Sequence, residues 1–122
     1  MGTFVKELDQ KNEKNRVVPD VAATIAAVYG CKWSLKIFDA IQRGICRPGA
    51  MEKALPGLTT RVQSYYFKRM LALGVINKRV FPEVPPRVEY RITPYGARVL
   101  RILESIQSLQ KQIEAEVKGD NV

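Results

Sequence analysis

Histidine is absent from this chain of 122 residues, and cysteine occurs only twice, at Cys31 and Cys46. Ordinary zinc centres draw four ligands from cysteine and histidine, so their spacings cannot be assembled. The commonest general base is missing too, which excludes a histidine-dependent hydrolase. No grouping of nucleophile, base and oxyanion donors is in view. The sequence therefore calls for no enzyme activity, no metal and no cofactor. Acidic residues are scarce, 12 against 20 basic ones, giving a formal net charge of +8 that favours a polyanionic partner. No apolar run approaches the roughly 20 residues of a membrane span. The polar N-terminus does not read as a secretory leader. The expectation is a cytoplasmic protein with no membrane partner.

The basic residues that are present cluster. Between Thr59 and Arg91 there are seven, Arg61, Lys68, Arg69, Lys78, Arg79, Arg87 and Arg91, against Glu83 and Glu89. Inside this region, Val75 to Phe81 is a short β run. Pro82, Pro85 and Pro86 forbid both helix and ladder pairing. Arg87 to Ile92 then alternates polar and apolar residues, the period of a half-buried strand. These features make a hairpin with a stiff, proline-built tip and basic arms.

Helices precede it. Asp20 caps a first helix with Val21, Ile25 and Val28 on one face, ending near Gly30. Trp33, Leu35, Ile37, Phe38 and Ile41 mark a second, stopped by Gly44, and Trp33 and Tyr90 read as core residues. Met51, Ala54 and Leu55 mark a third, closed at Pro56-Gly57, where glycine can take the positive φ of a tight turn. Thr59 or Thr60 caps a fourth, with Val62, Tyr66, Phe67, Met70 and Leu71 inward and Arg61, Gln63, Ser64, Tyr65 and Lys68 more outward. Thr93 and Pro94 open a last, long helix.

Helix, turn, helix and basic hairpin is the layout of a winged helix-turn-helix. The expected fold is mainly α with a small β-hairpin (α+β), with extra N- and C-terminal helices. Residues 1–18 read as a loose arm, 19–117 as the winged-helix domain with a dimerisation helix at 94–117, and 118–122 as a frayed tail.

Four blocks carry a family resemblance: GCKWSLKIF (30–38), EKALPGLTTRV (52–62), LGVINKRVFPEVPPRVEYRIT (73–93) and PYGARVL (94–100). Together they resemble the HxlR-type winged-helix transcriptional regulators, a MarR-related group. The resemblance implies a cytoplasmic homodimer on pseudo-palindromic promoter DNA, usually a repressor and sometimes an activator, with dimer contacts from the first and last helices. Many relatives open the first helix with a cysteine, in some an oxidant sensor. Asp20 stands at that position, so thiol sensing does not carry over.

The fold names the contacts. A recognition helix presents its N-terminal residues to base edges in the major groove. Thr59, Thr60, Arg61, Ser64 and Tyr65 are the reader candidates, with Arg61 suited to guanine O6 and N7. Tyr65 alternatively packs on a neighbour. Lys68 faces phosphate, Arg87 is the wing-tip contact, and Lys78 and Arg79 support the arms. Arg91 lies along the strand as a surface charge or pairs with Glu89. On the last helix Tyr95, Val99, Ile102, Ile106, Leu109 and Ile113 recur at spacings of 4, 3, 4, 3 and 4, a seam of period 3.5. Val99, Ile102, Ile106, Leu109 and Ile113 are the dimerisation candidates, while Leu100 and Leu103 offer a second side for the domain itself.

Cys31 and Cys46 flank the second helix, whose ~11 residues separate them by roughly 16 Å. A disulfide needs Cα atoms within ~7 Å, so no intrachain bridge is expected. The two remain the redox candidates, against a plain packing role. The expected partners are double-stranded DNA and a second copy of the chain, with any small-molecule effector unidentified. The alternative is a nucleic-acid module without gene control, architectural or RNA-binding. A protein-interaction domain that has lost DNA binding is a third reading.

Overall fold

The computed structural model describes residues 18–120, so all but the final residue of the expected arm at 1–18, and the last two residues of the chain, lie outside the described part. Among the described residues five helices and one hairpin succeed one another in order: α1 (Val21–Tyr29), α2 (Lys32–Gln42), α3 (Pro48–Ala54), α4 (Thr60–Leu73), β1 (Ile76–Phe81), β2 (Arg87–Ile92) and α5 (Pro94–Asp120). The expected mainly α fold with a two-stranded wing is the fold observed. The last helix runs to Asp120, three residues past its expected end at 117.

Three of the helices begin where the sequence supplies a side-chain cap. Asp20 accepts the Ala23 amide at 3.0 Å, filling one of the donors that a helix start leaves open. Thr59 accepts the Val62 amide at 3.2 Å and starts α4. Thr93 accepts the Gly96 amide at 2.9 Å and starts α5. Between α3 and α4, Gly57 adopts φ +90, the left-handed region that closes this tight turn. The indole of Trp33 lies directly under that turn, 3.6 Å from where a Cβ on Gly57 would stand. Trp33 is therefore half-buried, with the ammonium groups of Lys36 and Lys32 at 5.3 and 5.8 Å from its ring.

The core lies where α2, α4, the hairpin root and the first half of α5 meet. Val28, Ile37, Phe38, Met51, Met70, Val75 and Leu103 are fully buried there. Apolar burial of this kind is the main term holding a small domain together. On α1 the inward residues are Thr24 and Val28, and Val21 points to solvent instead of joining them. Buried Thr24 is satisfied: its hydroxyl donates to the Asp20 carbonyl and accepts from the Tyr95 hydroxyl at 2.8 Å, which ties α1 to α5.

Antiparallel pairing sets Ile76 against Ile92 and Phe81 against Arg87. The wing is rooted by stacking of Tyr90 on Phe67 of α4, ring centroids 3.8 Å apart. Burial pushes the Tyr90 hydroxyl pKa up. The Tyr90 amide also donates to the Cys46 carbonyl at 2.8 Å, so the loop before α3 runs beside β2. At the other end of the root Gly96 lets α5 press onto the Val75 carbonyl, a contact that leaves no room for a side chain.

Past Ser105, α5 is largely exposed, and Leu109, Ile113 and Val117 present apolar surface. Val99 is a correction to the expected seam. It is 1% exposed and packs with Leu103 in the core, because the first three turns of α5 lie on the body. The outward apolar stripe begins at Ile102 and continues through half-buried Ile106.

Candidate nucleic-acid interface

The outward face of α4 is built by elimination. Phe67 and Met70 turn inward, and so does Gln63, which is only 2% exposed. Gln63 was expected outward. Its side chain instead donates from Nε2 to the Pro48 carbonyl at 2.9 Å, joining α4 to the start of α3. A buried amide with a partner replaces the apolar residue that packing alone would favour there.

Arg61, Ser64, Tyr65 and Lys68 remain on the solvent side of α4. Among the described residues, Arg61 and Lys68 form no ion pair. Thr59 and Thr60 are exposed but engaged, Thr59 as the cap and Thr60 through a hydroxyl that donates to Glu52. Tyr65 is 57% exposed, packs edge-on against Tyr66 and accepts from Arg69 at 3.4 Å. Tyr65 thus leans on a neighbour, one of its two expected roles, and keeps an exposed face.

The wing separates its basic residues by pleat. Residues paired across an antiparallel ladder share a face, and residues two apart along a strand do so as well. Arg79 and Phe81 therefore lie with Arg87, Glu89 and Arg91 on one face, and Lys78 lies with Tyr90 on the other. On the first face Phe81 is flanked by two guanidiniums, Arg87 at 3.9 Å and Arg79 at 4.5 Å from its ring centre.

Glu89 sits at the centre of that face and is 7% exposed. Arg91 reaches it at 2.8 Å, Arg87 at 3.6 Å and Arg47, from the loop before α3, at 3.7 Å. The hydrogen bond from Arg91 holds the Glu89 carboxyl below the usual carboxylate range, with the charges of Arg87 and Arg47 adding to it. Arg87 also pairs with Glu83 at 3.2 Å, which leaves the expected wing-tip contact held between two carboxylates. The pairing of Arg91 with Glu89 agrees with one of its two expected roles. The joining of Arg47 and Arg87 to the same carboxylate had no counterpart in the sequence pattern.

Cys31 stands at the start of α2 and Cys46 in the loop before α3, both partly exposed and unbridged. No cluster of metal-ligating side chains occurs among the described residues. No single helix among them is long and apolar enough to cross a membrane.

Residues 28–118 match the HxlR-like helix-turn-helix family along three quarters of the chain. The chain belongs to the HxlR-like helix-turn-helix family. An HTH-type transcriptional regulator of Synechocystis, sll1512, is 35% identical over 78 residues, covering 64% of this chain and 58% of the relative. The chain thus spans less than two thirds of that protein. YtcD of Bacillus subtilis, also an HTH-type transcriptional regulator, is 31% identical over 94 residues, covering 77% of this chain and 74% of the relative. Among solved structures, a MarR-family transcriptional regulator from Enterococcus faecalis V583 superposes with a TM-score of 0.71 at 27% identity. That match covers 83% of this chain and 94% of the other. The fold is the winged helix of such regulators.

Proposed function

We propose that this HxlR-like chain is a sequence-specific DNA-binding regulator that acts as a homodimer on an inverted-repeat operator, as a repressor. The observation that carries the reading is the outward face of α4. Arg61 and Lys68 stand on it without acidic partners among the described residues, on the same element whose root stacks under the basic wing. Arg61 is the base reader in this scheme, Ser64 and Tyr65 flank it, and Lys68 meets phosphate. Thr59 and Thr60 order the helix start, and Thr59 leaves its backbone near the duplex. Lys78, Arg79 and Arg87 give the wing its positive potential.

Dimerisation is supported by apolar surface on α5. Ile102, Leu109, Ile113 and Val117 are each 43% or more exposed, and α1 adds Val21 at 44%. A solitary chain gains nothing from such a stripe, whereas a two-fold partner covers it. Two recognition helices would then meet one face of the duplex about 34 Å apart. The sign of regulation rests on the family resemblance. Repeated selection from a random-sequence duplex library, with footprinting of the enriched duplexes, tests the proposal. An enriched inverted repeat protected in both half-sites is expected. Failure to enrich any sequence, or a protein that remains monomeric in sedimentation, overturns it.

A further inference from the structure

Glu89 is an unusual residue to find in the wing of a protein proposed to bind a polyanion. Its carboxylate has no donor and would repel phosphate, so it makes no contact with a DNA backbone. It is nevertheless buried at the centre of the basic face, with Arg47, Arg87 and Arg91 converging on it. With Glu83 included, three guanidiniums face two carboxylates, and the cluster keeps a single net positive charge.

The cluster also forms a mechanical link. Glu89 belongs to the wing, and Arg47 belongs to the loop before α3. The next residue, Pro48, offers its carbonyl to Gln63, which is buried in α4. A backbone hydrogen bond from Tyr90 to Cys46 runs parallel to this path. Wing and recognition helix are thus connected through two consecutive residues, in addition to the Phe67–Tyr90 stack.

Resting on the reading above, we infer that Glu89 is a positioning residue that sets DNA specificity: it holds the wing at a fixed offset from the recognition helix and withholds three arginines from indiscriminate phosphate contact. Positive charge that is free to move attracts any duplex, because counterion release does not depend on sequence. Charge that is tied down contributes fully only when the backbone lies where the fixed wing meets it. The isolated donor on Arg87 fits this account. Its Nε is buried without a hydrogen-bond partner, since the approach to Glu89 at 3.6 Å is a charge contact and not a hydrogen bond.

The test compares wild type, Glu89→Gln and Glu89→Asp on two duplexes across a range of salt. One duplex is the sequence enriched by wild type from the random library, and the other is a scrambled version of it. Glu89→Gln is expected to bind the scrambled duplex more tightly, with a salt dependence steeper by about 0.9 for each additional phosphate neutralised. Its preference for the enriched sequence should fall at least tenfold. Glu89→Asp keeps the charge and shortens the reach, so its salt dependence should match wild type while the preference still falls. A fold weakened in a general way would lower both affinities together and leave the salt slope unchanged, which overturns the inference. So does an intact preference in both variants. If Glu89→Gln does not fold, the Glu89→Asp preference alone decides. Should wild type enrich no sequence, the regulator reading fails and this inference falls with it, an outcome visible before either variant is made.

Discussion

Gly96 is the position where one methyl group should do most damage. It lies in the first turn of α5, pressed on the wing root. A Cβ there would stand 2.1 Å from the Val75 carbonyl oxygen, 2.9 Å from its carbon and 3.0 Å from Ile92 Cγ2. The obstacle cannot rotate away: Val75 is fully buried and its carbonyl accepts the Thr93 amide at 3.1 Å. Packed heavy atoms meet at about 3.5–4.0 Å, so relief requires the helix to move by roughly 1 Å or more. Two terms oppose. Alanine in place of glycine favours a helix by about 1 kcal/mol. Overpacking costs ~1–3 kcal/mol and more when, as here, backbone is struck. The expected balance for Gly96→Ala is a loss of about 2 kcal/mol, a fall in Tm of roughly 8 °C. Thermal melts monitored by far-UV circular dichroism at fixed protomer concentration measure it, because association shifts apparent stability. Gly119→Ala supplies the comparison, since a Cβ there meets nothing within 4 Å in the same helix. It should be neutral or stabilising. A Gly96→Ala protein that melts at or above wild type would show that the helix rides freely on the root, and the reasoning fails.

Arg61→Ala should weaken binding to the enriched operator by ~1–3 kcal/mol and relax one base position in a repeat of the selection. Equal losses on operator and scrambled DNA would count against a base-reading role. Leu109→Glu places a charge in the middle of the exposed stripe of α5, and sedimentation should show a shift from dimer to monomer with unchanged helix content. For acid stability the sign is set by Glu89, whose folded-state pKa is depressed. Its contribution is fully present above the unfolded value near ~4.3 and is lost as pH falls through the lower folded value. Wild type should therefore exceed Glu89→Gln in urea midpoint at pH 7, and the gap should close on acidification.

The parts of this protein that could be read from its residues are those fixed by neighbours in sequence. Asp20, Thr59 and Thr93 each cap the helix that begins beside them, and the prolines from Pro82 to Pro86 stop the ladder, so a short tip sets the register. The outward face of α4 was legible largely from helical periodicity. Gln63 was not, because its burial depends on a carbonyl fifteen residues away that no local pattern announces. Val99 was assigned to the wrong surface for a related reason. A seam of period 3.5 shows which residues align, not where the body beneath ends. The carboxylate at the centre of the wing was half visible, since Arg91 lies two residues beyond Glu89 on the same face and was an expected partner for it. Arg47 arrives from a distant loop and could only be placed in three dimensions.

The indole under the turn between α3 and α4 has a practical consequence. It is the single tryptophan of the chain, half in water and next to two ammonium groups. Its emission wavelength and intensity depend on how closely that turn covers it. Docking of a duplex against α4, or loosening of the turn on heating, should thus be visible as an intrinsic optical signal, with no dye attached and no competing fluorophore of the same kind.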